Sequence, residues 1–222
     1  MRITTKSTIK QNIENLFFDY ETSISGIPVN EWGIPMADTL DADLSGVEWV
    51  NFNNREQIKD CKNTVIHFYC HDYQFNVVWS SPQKYLPLLK EARAVVAPDY
   101  SCYADMPMAM QLFQVYKQAW IVKYWQKQGI KVICNPIWAI GQLNDWNLSS
   151  IPRKTILATS LQIRGLDNEA MEMLQNELEL ITQLLQPTKL FIKCCDRAMK
   201  KLNGKFDFEQ IPIYRFGLKT KV

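Results

Sequence analysis

Polar side chains capable of catalysis stand where several apolar segments of this sequence end. In parallel sheets and barrels the ligand site lies at the carboxyl ends of the strands, so these side chains are expected to meet there. The candidate catalytic residues are Asp72, Asp99, Ser101 and Asn135, and the candidate substrate-binding residues are His71, Tyr100, Trp138, Ser160 and Asp196. The sequence therefore predicts a site at one edge of a sheet, but it does not select a reaction.

Asp99 is the first of these candidates, and two interpretations of it remain open. It follows the apolar run 94–97 and stands beside Tyr100 and Ser101. At a strand end, a carboxylate can serve as a general base, a nucleophile or a metal ligand. Alternatively, the side chain of Asp99 only forms local hydrogen bonds that hold a turn. The sequence favours neither interpretation.

The two histidines, His67 and His71, do not predict a metal site. A spacing of four would bring them together on a helix, but in an extended segment it separates them by about 13 Å, too far for one ion. A packed His67 and a loop His71 are therefore predicted. A phosphate-binding glycine loop, a Gly-x-Ser-x-Gly elbow and paired Cys-x-x-Cys motifs are all missing from the sequence. No metal is therefore assigned, and the cofactor is left undetermined.

A β-α-β unit positions Asp99 and its neighbours. The apolar runs 94–97 and 132–134 flank a segment of helical period, for which Asp105 is the predicted N-cap, Pro107 a first-turn residue and Gly129 the C-terminal cap. Apolar residues at helical spacing predict that one face of this helix is core and the other polar. The predicted core residues are Ala109, Leu112, Phe113, Tyr116, Ala119 and Trp120, and Gln111, Gln114, Lys117 and Gln118 are assigned to the other side.

Strands and helices alternate along the whole chain, which predicts an α/β fold with a largely parallel sheet. About seven runs are candidate strands: 47–52, 64–69, 94–97, 132–134, 155–160, 189–193 and 211–216. This number suits an open doubly wound sheet or an irregular, incomplete TIM-like barrel. Val95, Ile133, Ile156 and Phe191 are expected on neighbouring strands of a single sheet. Residues 1–222 are expected to form one domain, with 1–46 as a loosely packed N-terminal arm and loop.

Composition excludes some broad classes of protein. With 47% hydrophobic and 22% charged residues, the chain of 222 residues resembles an ordinary globular protein. Its net charge of +2 neither implies nor excludes a nucleic-acid partner. The sequence contains no apolar run of the roughly 20 residues that a membrane helix needs, and no signal peptide. We therefore expect a cytoplasmic protein without a membrane partner, whose six cysteines are free thiols.

The sequence Pro-Asp-Tyr-Ser at 98–101, followed by Asp-Met-Pro at 105–107, resembles domain-of-unknown-function family 4417. The resemblance covers roughly residues 45–195, and it implies an occurrence in bacteria, archaea, phages and plasmids without an established activity. The other matching segments are 67–69, Asp72, Tyr73, Phe75, 115–116, 124–125, 129–133, Trp138 and 151–153. The family pattern has an acidic residue at His71 and arginines at Gln74, Lys117 and Ala119. A family site that depends on arginine is therefore altered in this chain.

Two classes of function remain. The polar strand ends favour a hydrolase or transferase acting on a nucleotide, nucleic-acid or sugar substrate. The departures from the arginine pattern favour a non-catalytic phage or mobile-element protein that binds a host or replication partner. Five tryptophans outside the predicted helices suit stacking on bases or sugars, or the rim of a core. They are Trp32, Trp49, Trp79, Trp138 and Trp146.

Overall fold

The computed structural model describes residues 26–161, 167–202 and 205–212, without the side chains of Asp196 and Arg197. Residues 1–25 of the predicted N-terminal arm lie outside these ranges, as do positions 213–216 of the last predicted strand. Within them, strands alternate with helices, as the sequence predicts, but the seventh strand lies at Glu209–Gln210, before the predicted range 211–216. The strands are β1 (Glu48–Asn51), β2 (Thr64–His67), β3 (Ala94–Val96), β4 (Val132–Ile133), β5 (Ile156–Ser160), β6 (Lys189–Lys193) and β7 (Glu209–Gln210).

The helices include two long elements and several single turns. The α-helices are α1 (Asp72–Phe75), α2 (Val77–Ser80), α3 (Leu86–Glu91), α4 (Met108–Lys127), α5 (Asp145–Leu148), α6 (Asn168–Leu185) and α7 (Asp196–Leu202). Two short 3₁₀ helices, Phe52–Gln57 and Cys61–Asn63, precede β2. The shortest helices, α1, α2 and α5, were not predicted, because a single turn is too short to show a helical period.

All the strand pairs are parallel, and they follow the order of the chain. One sheet has the order β1-β2-β3-β4 and the other β5-β6-β7. The two sheets meet where Cys134 bridges Leu157 and the Ala158 N–H donates to the Cys134 carbonyl at 2.9 Å. The single sheet expected from the sequence is thus divided, since β4 has only two residues to pair. The α/β class and the parallel arrangement are confirmed.

One apolar cluster is shared by the two sheets. Trp49, Val65, Ile133, Ala158 and Phe191 belong to it and come from β1, β2, β4, β5 and β6. The rings of Trp49 and Phe191 have centroids 4.8 Å apart, which brings the first sheet against the second. The strands therefore curve around a common interior. Among the described residues no pairing joins β7 to β1, so this part of the chain forms no closed barrel.

Helix α4 differs from its prediction in its start and in its faces. It begins at Met108 with Pro107 as the N-cap, and no side chain caps it. Phe113, predicted as core, is 50% exposed, and Ala109 is exposed as well. Gln111, Lys117 and Gln118, predicted on the other side, are buried. The two-face prediction was wrong because the loop before the helix covers its glutamine side with backbone that needs hydrogen-bond donors.

Apolar residues at helical spacing between Asp167 and Leu185 predict helix α6 with one buried face, and the structure confirms both. The Asp167 side chain caps it by accepting from the Ala170 N–H at 2.8 Å, and Gln186 ends it in the left-handed conformation with φ of 47°. The buried residues recur at helical spacing, as expected of an amphipathic helix. They are Met171, Leu174, Leu178, Ile181 and Leu185.

The segment from residue 26 to 46 packs on the body of the protein at several points. Ile34, Leu40 and Leu44 are buried. Asp38 forms an ion pair with Lys123 of α4 at 2.6 Å. All six cysteines are free, as expected. None of the helices in the ranges given above is long and apolar enough to cross a membrane.

Candidate active site at the strand ends

A cavity of about 730 Å³ opens at the carboxyl ends of the central strands. Three loops that follow β2, β3 and β4 form its walls, together with the end of β5 and one residue of α6. The lining residues are 69–71, 99–104, 136–138, Ile140, 159–161 and Leu174. This is the edge at which parallel α/β proteins bind their ligands.

Asp99 and Asn135 form the polar centre of this region. Asp99 lines the cavity just after β3, and the Asn135 Nδ2 donates to its Oδ1 at 2.9 Å. Asn135 is only 1% exposed, and its Oδ1 has no hydrogen-bond partner in the described part of the chain. A buried amide oxygen without a partner is costly, so it suits a donor that a ligand brings. Asn135 both orients the carboxyl group and leaves an acceptor unused.

The protein environment raises the pKa of Asp99, so that both of its protonation states are populated near pH 6. Burial raises the pKa of this carboxyl group from 3.8 to about 6, and the hydrogen bond from Asn135 opposes that shift. The charge of Asp72 raises the pKa further, whereas Lys193 lowers it. A carboxyl group with a pKa near neutrality can both accept and release a proton at physiological pH.

Both carboxylate oxygens of Asp72 accept hydrogen bonds from Ser101. The Ser101 N–H donates to Asp72 Oδ2 at 3.1 Å, and the Ser101 hydroxyl donates to Oδ1 at 2.8 Å. Asp72 lies in α1 and Ser101 in the loop after β3, so the pair ties two walls of the cavity together. This geometry supports a positioning role for Asp72, and it leaves Asp99 as the carboxyl group with hydrogen-bonding capacity to spare.

Lys193 is the charged residue that sequence reasoning missed. It is the last residue of β6, and its Nζ donates to the Tyr69 carbonyl at 2.9 Å. Burial lowers the pKa of its ammonium group, and the charge of Asp99 partly offsets that effect. Because Phe191 points into the shared interior, alternation along a strand directs Lys193 to the same side two residues later.

The same alternation explains how the polar residues come together. The interior residues Trp49, Val65, Ile133, Ala158 and Phe191 are each followed, two positions later, by a polar residue. The polar residues are Asn51, His67, Asn135, Ser160 and Lys193. They form a polar layer above the apolar interior, at the end of the strands where the cavity opens. This two-residue offset is the signal in the sequence that would have identified Lys193 and Asn51.

Three glutamines of α4 hold the loop that carries Asp99 and Ser101. Gln118 Nε2 donates to the Pro98 carbonyl at 2.7 Å, and Gln114 Nε2 donates to the Ser101 carbonyl at 3.2 Å. Gln111 Nε2 donates to the Met106 carbonyl at 2.9 Å. Positions 111, 114 and 118 share one helix face, so their common residue type was a visible signal.

The other predicted substrate-binding residues have different surroundings. His71 lines the cavity mouth, is exposed and stacks on Tyr73 at 5.8 Å. Tyr100 is buried, with the Lys117 ammonium 3.9 Å from its ring centroid, a cation–π contact.

Trp138 and Ser160 also line the cavity. The Trp138 indole donates to Glu177 Oε2 at 2.9 Å, which orients the ring in the cavity wall. Asp196 begins α7, but its side chain lies outside the described atoms. The structure thus brings eight of the nine predicted residues to the cavity or to a direct contact with one of its lining residues.

His67 is a core histidine in this structure. It is 3% exposed, and its Nδ1 accepts from the Tyr69 N–H at 3.4 Å. Burial lowers the pKa of its imidazole to about 3, so the ring is neutral at physiological pH. In the described ranges, no group of three or more His, Cys, Asp or Glu side chains could hold a metal ion.

Fold and cavity together define a parallel α/β protein with a cavity at its strand ends, partly lined by polar residues. The chain belongs to the family described as domain of unknown function DUF4417, which matches residues 28–213. This range is longer than residues 45–195, over which the sequence resembles the family. It adds the segment before β1 and the chain beyond β6.

Two phage proteins are similar to part of this chain. Each is called Gene 1 protein, one from Mycobacterium phage D29 and the other from Mycobacterium phage L5. Both are 39% identical over 101 residues, which is 45% of this chain and 37% or 44% of the relative. The chain therefore matches less than half the length of either relative. No solved structure matches it.

Proposed function

We propose that this phage-type protein is a hydrolase or transferase that acts on a nucleotide, nucleic-acid or sugar substrate in the cavity at the strand ends. The observation that carries the proposal is Asp99, a carboxyl group with a pKa of about 6 that lines a cavity of about 730 Å³. Carboxyl groups with raised pKa values in clefts are characteristic of catalytic sites.

Asp99 is the proton-transfer group in this proposal. In its ionised form it accepts the proton of a water or substrate hydroxyl while that oxygen forms a bond to carbon or phosphorus of the substrate. The leaving group departs with the electron pair of the broken bond and takes the proton from Asp99. Asn135 orients the carboxyl group through its hydrogen bond of 2.9 Å. Such a group contributes roughly 10²–10⁴-fold to a rate.

A panel of nucleotides, single-stranded oligonucleotides and sugar phosphates tests this proposal by product detection. Asp99→Asn should lower kcat by about 100-fold or more, while Asp105→Asn, in an exposed position of the same loop, should leave it unchanged. The rate should rise with pH through about 6, where Asp99 ionises. Full activity in Asp99→Asn would contradict the assignment.

A second candidate is a non-catalytic protein that binds a host or replication partner. Large apolar residues exposed around α4 and α1 favour it: Met108 is 66% exposed, Tyr103 59%, Phe113 50% and Tyr73 78%. Binding of purified host replication proteins, measured by interferometry, separates the two functions. A binding protein would lose affinity for its partner in a Met108→Ala, Phe113→Ala double variant and keep that affinity in Asp99→Asn. An enzyme would keep its substrate turnover in the double variant and lose it in Asp99→Asn.

A further inference from the structure

Lys193 has hydrogen-bonding capacity that the folded chain does not use. Its ammonium group donates one hydrogen bond, to the Tyr69 carbonyl at 2.9 Å. Within the described chain, no carboxylate lies within 4.0 Å of it, since the one ion pair found there joins Lys123 to Asp38. An ammonium group has three donors, so two of them remain for a ligand.

The Tyr69 hydroxyl is a second unused donor in the same region. Tyr69 lines the cavity and is 5% exposed, and its hydroxyl has no hydrogen-bond partner in the described part of the chain. Burial and the charge of Asp99 raise the pKa of this phenol well above 10.0, so it stays protonated and can donate. A buried hydroxyl without a partner is costly, and a ligand acceptor would remove that cost.

From these two donors we infer that Lys193 and the Tyr69 hydroxyl form a subsite for a phosphate-class anion at the wall of the cavity, since Tyr69 lines the cavity and the Lys193 ammonium lies 5.6 Å from its ring centroid. The inference rests on the proposed function, because the anion is taken to be part of the substrate on which Asp99 acts. It narrows the substrate class to phosphorylated compounds, such as a nucleotide or a sugar phosphate. Lysine is a common phosphate ligand, which acts as a point charge.

A purely structural role for Lys193 is the competing explanation. Lys193 would then only neutralise Asp99, as their electrostatic interaction suggests. However, the two residues form no ion pair within 4.0 Å, and Asp99 is held by Asn135 at 2.9 Å instead. Each charge thus keeps free hydrogen-bonding positions, as a site that accepts a ligand requires.

The subsite should bind anions more tightly as Asp99 becomes protonated. The charged groups that act on Asp99 are Asp72 and Lys193. Among the other titratable groups of this region, Cys70, Cys102 and His67 are neutral near pH 6, because burial raises the pKa of the two thiols to about 11 and 12 and lowers that of the imidazole to about 3. His71 at the cavity mouth and the cation Lys117 beside Tyr100 also face this region. Ionised Asp99 repels an anion bound to Lys193, so affinity should rise as pH falls through about 6.

Titration calorimetry with inorganic sulfate tests the subsite, since sulfate keeps its charge between about pH 5 and pH 8. The wild type should bind sulfate with a millimolar Kd, and Lys193→Gln should weaken that binding about tenfold or more. Lys189→Gln is the matched control, because Lys189 is exposed at the opposite end of the same strand. Asp99→Asn should strengthen sulfate binding at about pH 8 and reduce its pH dependence.

Two further measurements identify the source of the anion and guard against misfolding. Ribose 5-phosphate should bind more tightly than sulfate if the substrate carries the phosphate, and ribose alone should bind more weakly than either. Lys193→Arg, which keeps the charge, should retain more sulfate affinity than Lys193→Gln. Circular dichroism checks that each variant is folded.

Three results would overturn the inference: no sulfate binding by the wild type, equal losses in Lys193→Gln and Lys189→Gln, or weaker binding in Asp99→Asn. The proposed function can fail separately. Turnover that survives in Asp99→Asn would refute proton transfer by Asp99 and leave the anion subsite intact. Conversely, lost turnover in Asp99→Asn with no sulfate binding in the wild type would refute only the subsite.

Discussion

At the scale of single residues, Asp99 is a carboxyl group that the fold holds in a destabilising environment. Its folded pKa of about 6 lies above the ordinary value of 3.8. The ionised form therefore opposes folding above about pH 6, and this effect disappears as the pH falls from about 6 to about 4. Proteins retain such destabilising groups at functional sites, because the reaction there depends on their shifted pKa.

Asp99→Asn should therefore stabilise the protein at high pH. Removing the charge should raise the free energy of unfolding at about pH 8 by on the order of 1–3 kcal/mol, and the gain should vanish near pH 4. Urea unfolding of both proteins at several pH values measures the difference. Burial lowers the pKa of His67 from 6.5 to about 3, so both proteins lose stability as the pH falls below about 6.5. This loss is equal in the two proteins and cancels in the comparison.

Asp105→Asn is the control for this comparison, since Asp105 is exposed and should give no pH-dependent difference. If Asp99→Asn is instead less stable than the wild type at about pH 8, the carboxylate is a structural anchor of the loop. A carboxylate packed against the sheet by a buried donor would then be preferred over a site carboxylate, whereas a turn-former would tolerate Asn, which makes the same local hydrogen bonds.

At the scale of elements, α4 acts as a polar scaffold for the loop of Asp99. Its glutamines at 111, 114 and 118 supply donors to backbone carbonyls that have no strand to pair with. A loop packed over a helix must satisfy these carbonyls, because a buried acceptor without a partner costs free energy. The site is therefore positioned by side chains of a neighbouring helix as well as by the strands themselves.

Gln118→Ala should destabilise the protein and disturb the site together. The buried Pro98 carbonyl would lose its donor, with an expected cost of about 1–3 kcal/mol. The carboxyl titration of Asp99, followed by NMR, should shift because its loop is released. The side chain of Gln128, at the end of the same helix, makes only an exposed hydrogen bond with Lys90. Gln128→Ala should therefore change neither the stability nor the titration of Asp99. Equal effects of the two substitutions would contradict this role of Gln118.

Helix α6 offers a test of apolar packing on one element. Leu178 is fully buried, and Leu180 is 44% exposed on the same helix. Leu178→Ala should lower the free energy of unfolding by about 2–5 kcal/mol, and Leu180→Ala by less than about 0.5 kcal/mol. Chemical denaturation measures both. Similar losses would show that the exposed face of α6 is covered in solution.

At the scale of the whole molecule, the two parallel sheets share one interior. The contact between Trp49 and Phe191, with ring centroids 4.8 Å apart, joins the first sheet to the second. The bridge between Cys134 and Leu157 continues the backbone pairing from one sheet to the other. Elements that bury a common core unfold together, because neither sheet can keep its apolar face covered alone.

The chain should consequently unfold as one domain. Tryptophan fluorescence, which reports on seven residues between Trp32 and Trp146, and far-UV circular dichroism, which also reports on the second sheet, should give coincident urea transitions. Phe191→Ala should shift both transitions to lower urea by the same amount. Two separate transitions would show that the sheets are independent units.

The local sequence was sufficient to predict most of the strands, the long helix α6 and the edge at which the candidate site residues lie. Runs of apolar residues identified the parallel strands, and the caps and apolar spacing identified α6 with its buried face. These features are local, since periodicity and capping depend on residues within one or two turns. The prediction for α4 failed because its environment is set by a loop, which periodicity does not describe.

The sequence by itself determined the α/β class, the parallel strands and the placement of Asp99, Ser101 and Asn135 at strand ends. Only the tertiary structure decided which polar residues act together: Asn135 with Asp99, Asp72 with Ser101, and Lys193 with Tyr69. The physical reason is that a pKa and a hydrogen-bond partner depend on distance and burial in three dimensions. Lys193 and Tyr69 are 124 positions apart in the sequence, and they meet because parallel strands bring their carboxyl ends to one edge.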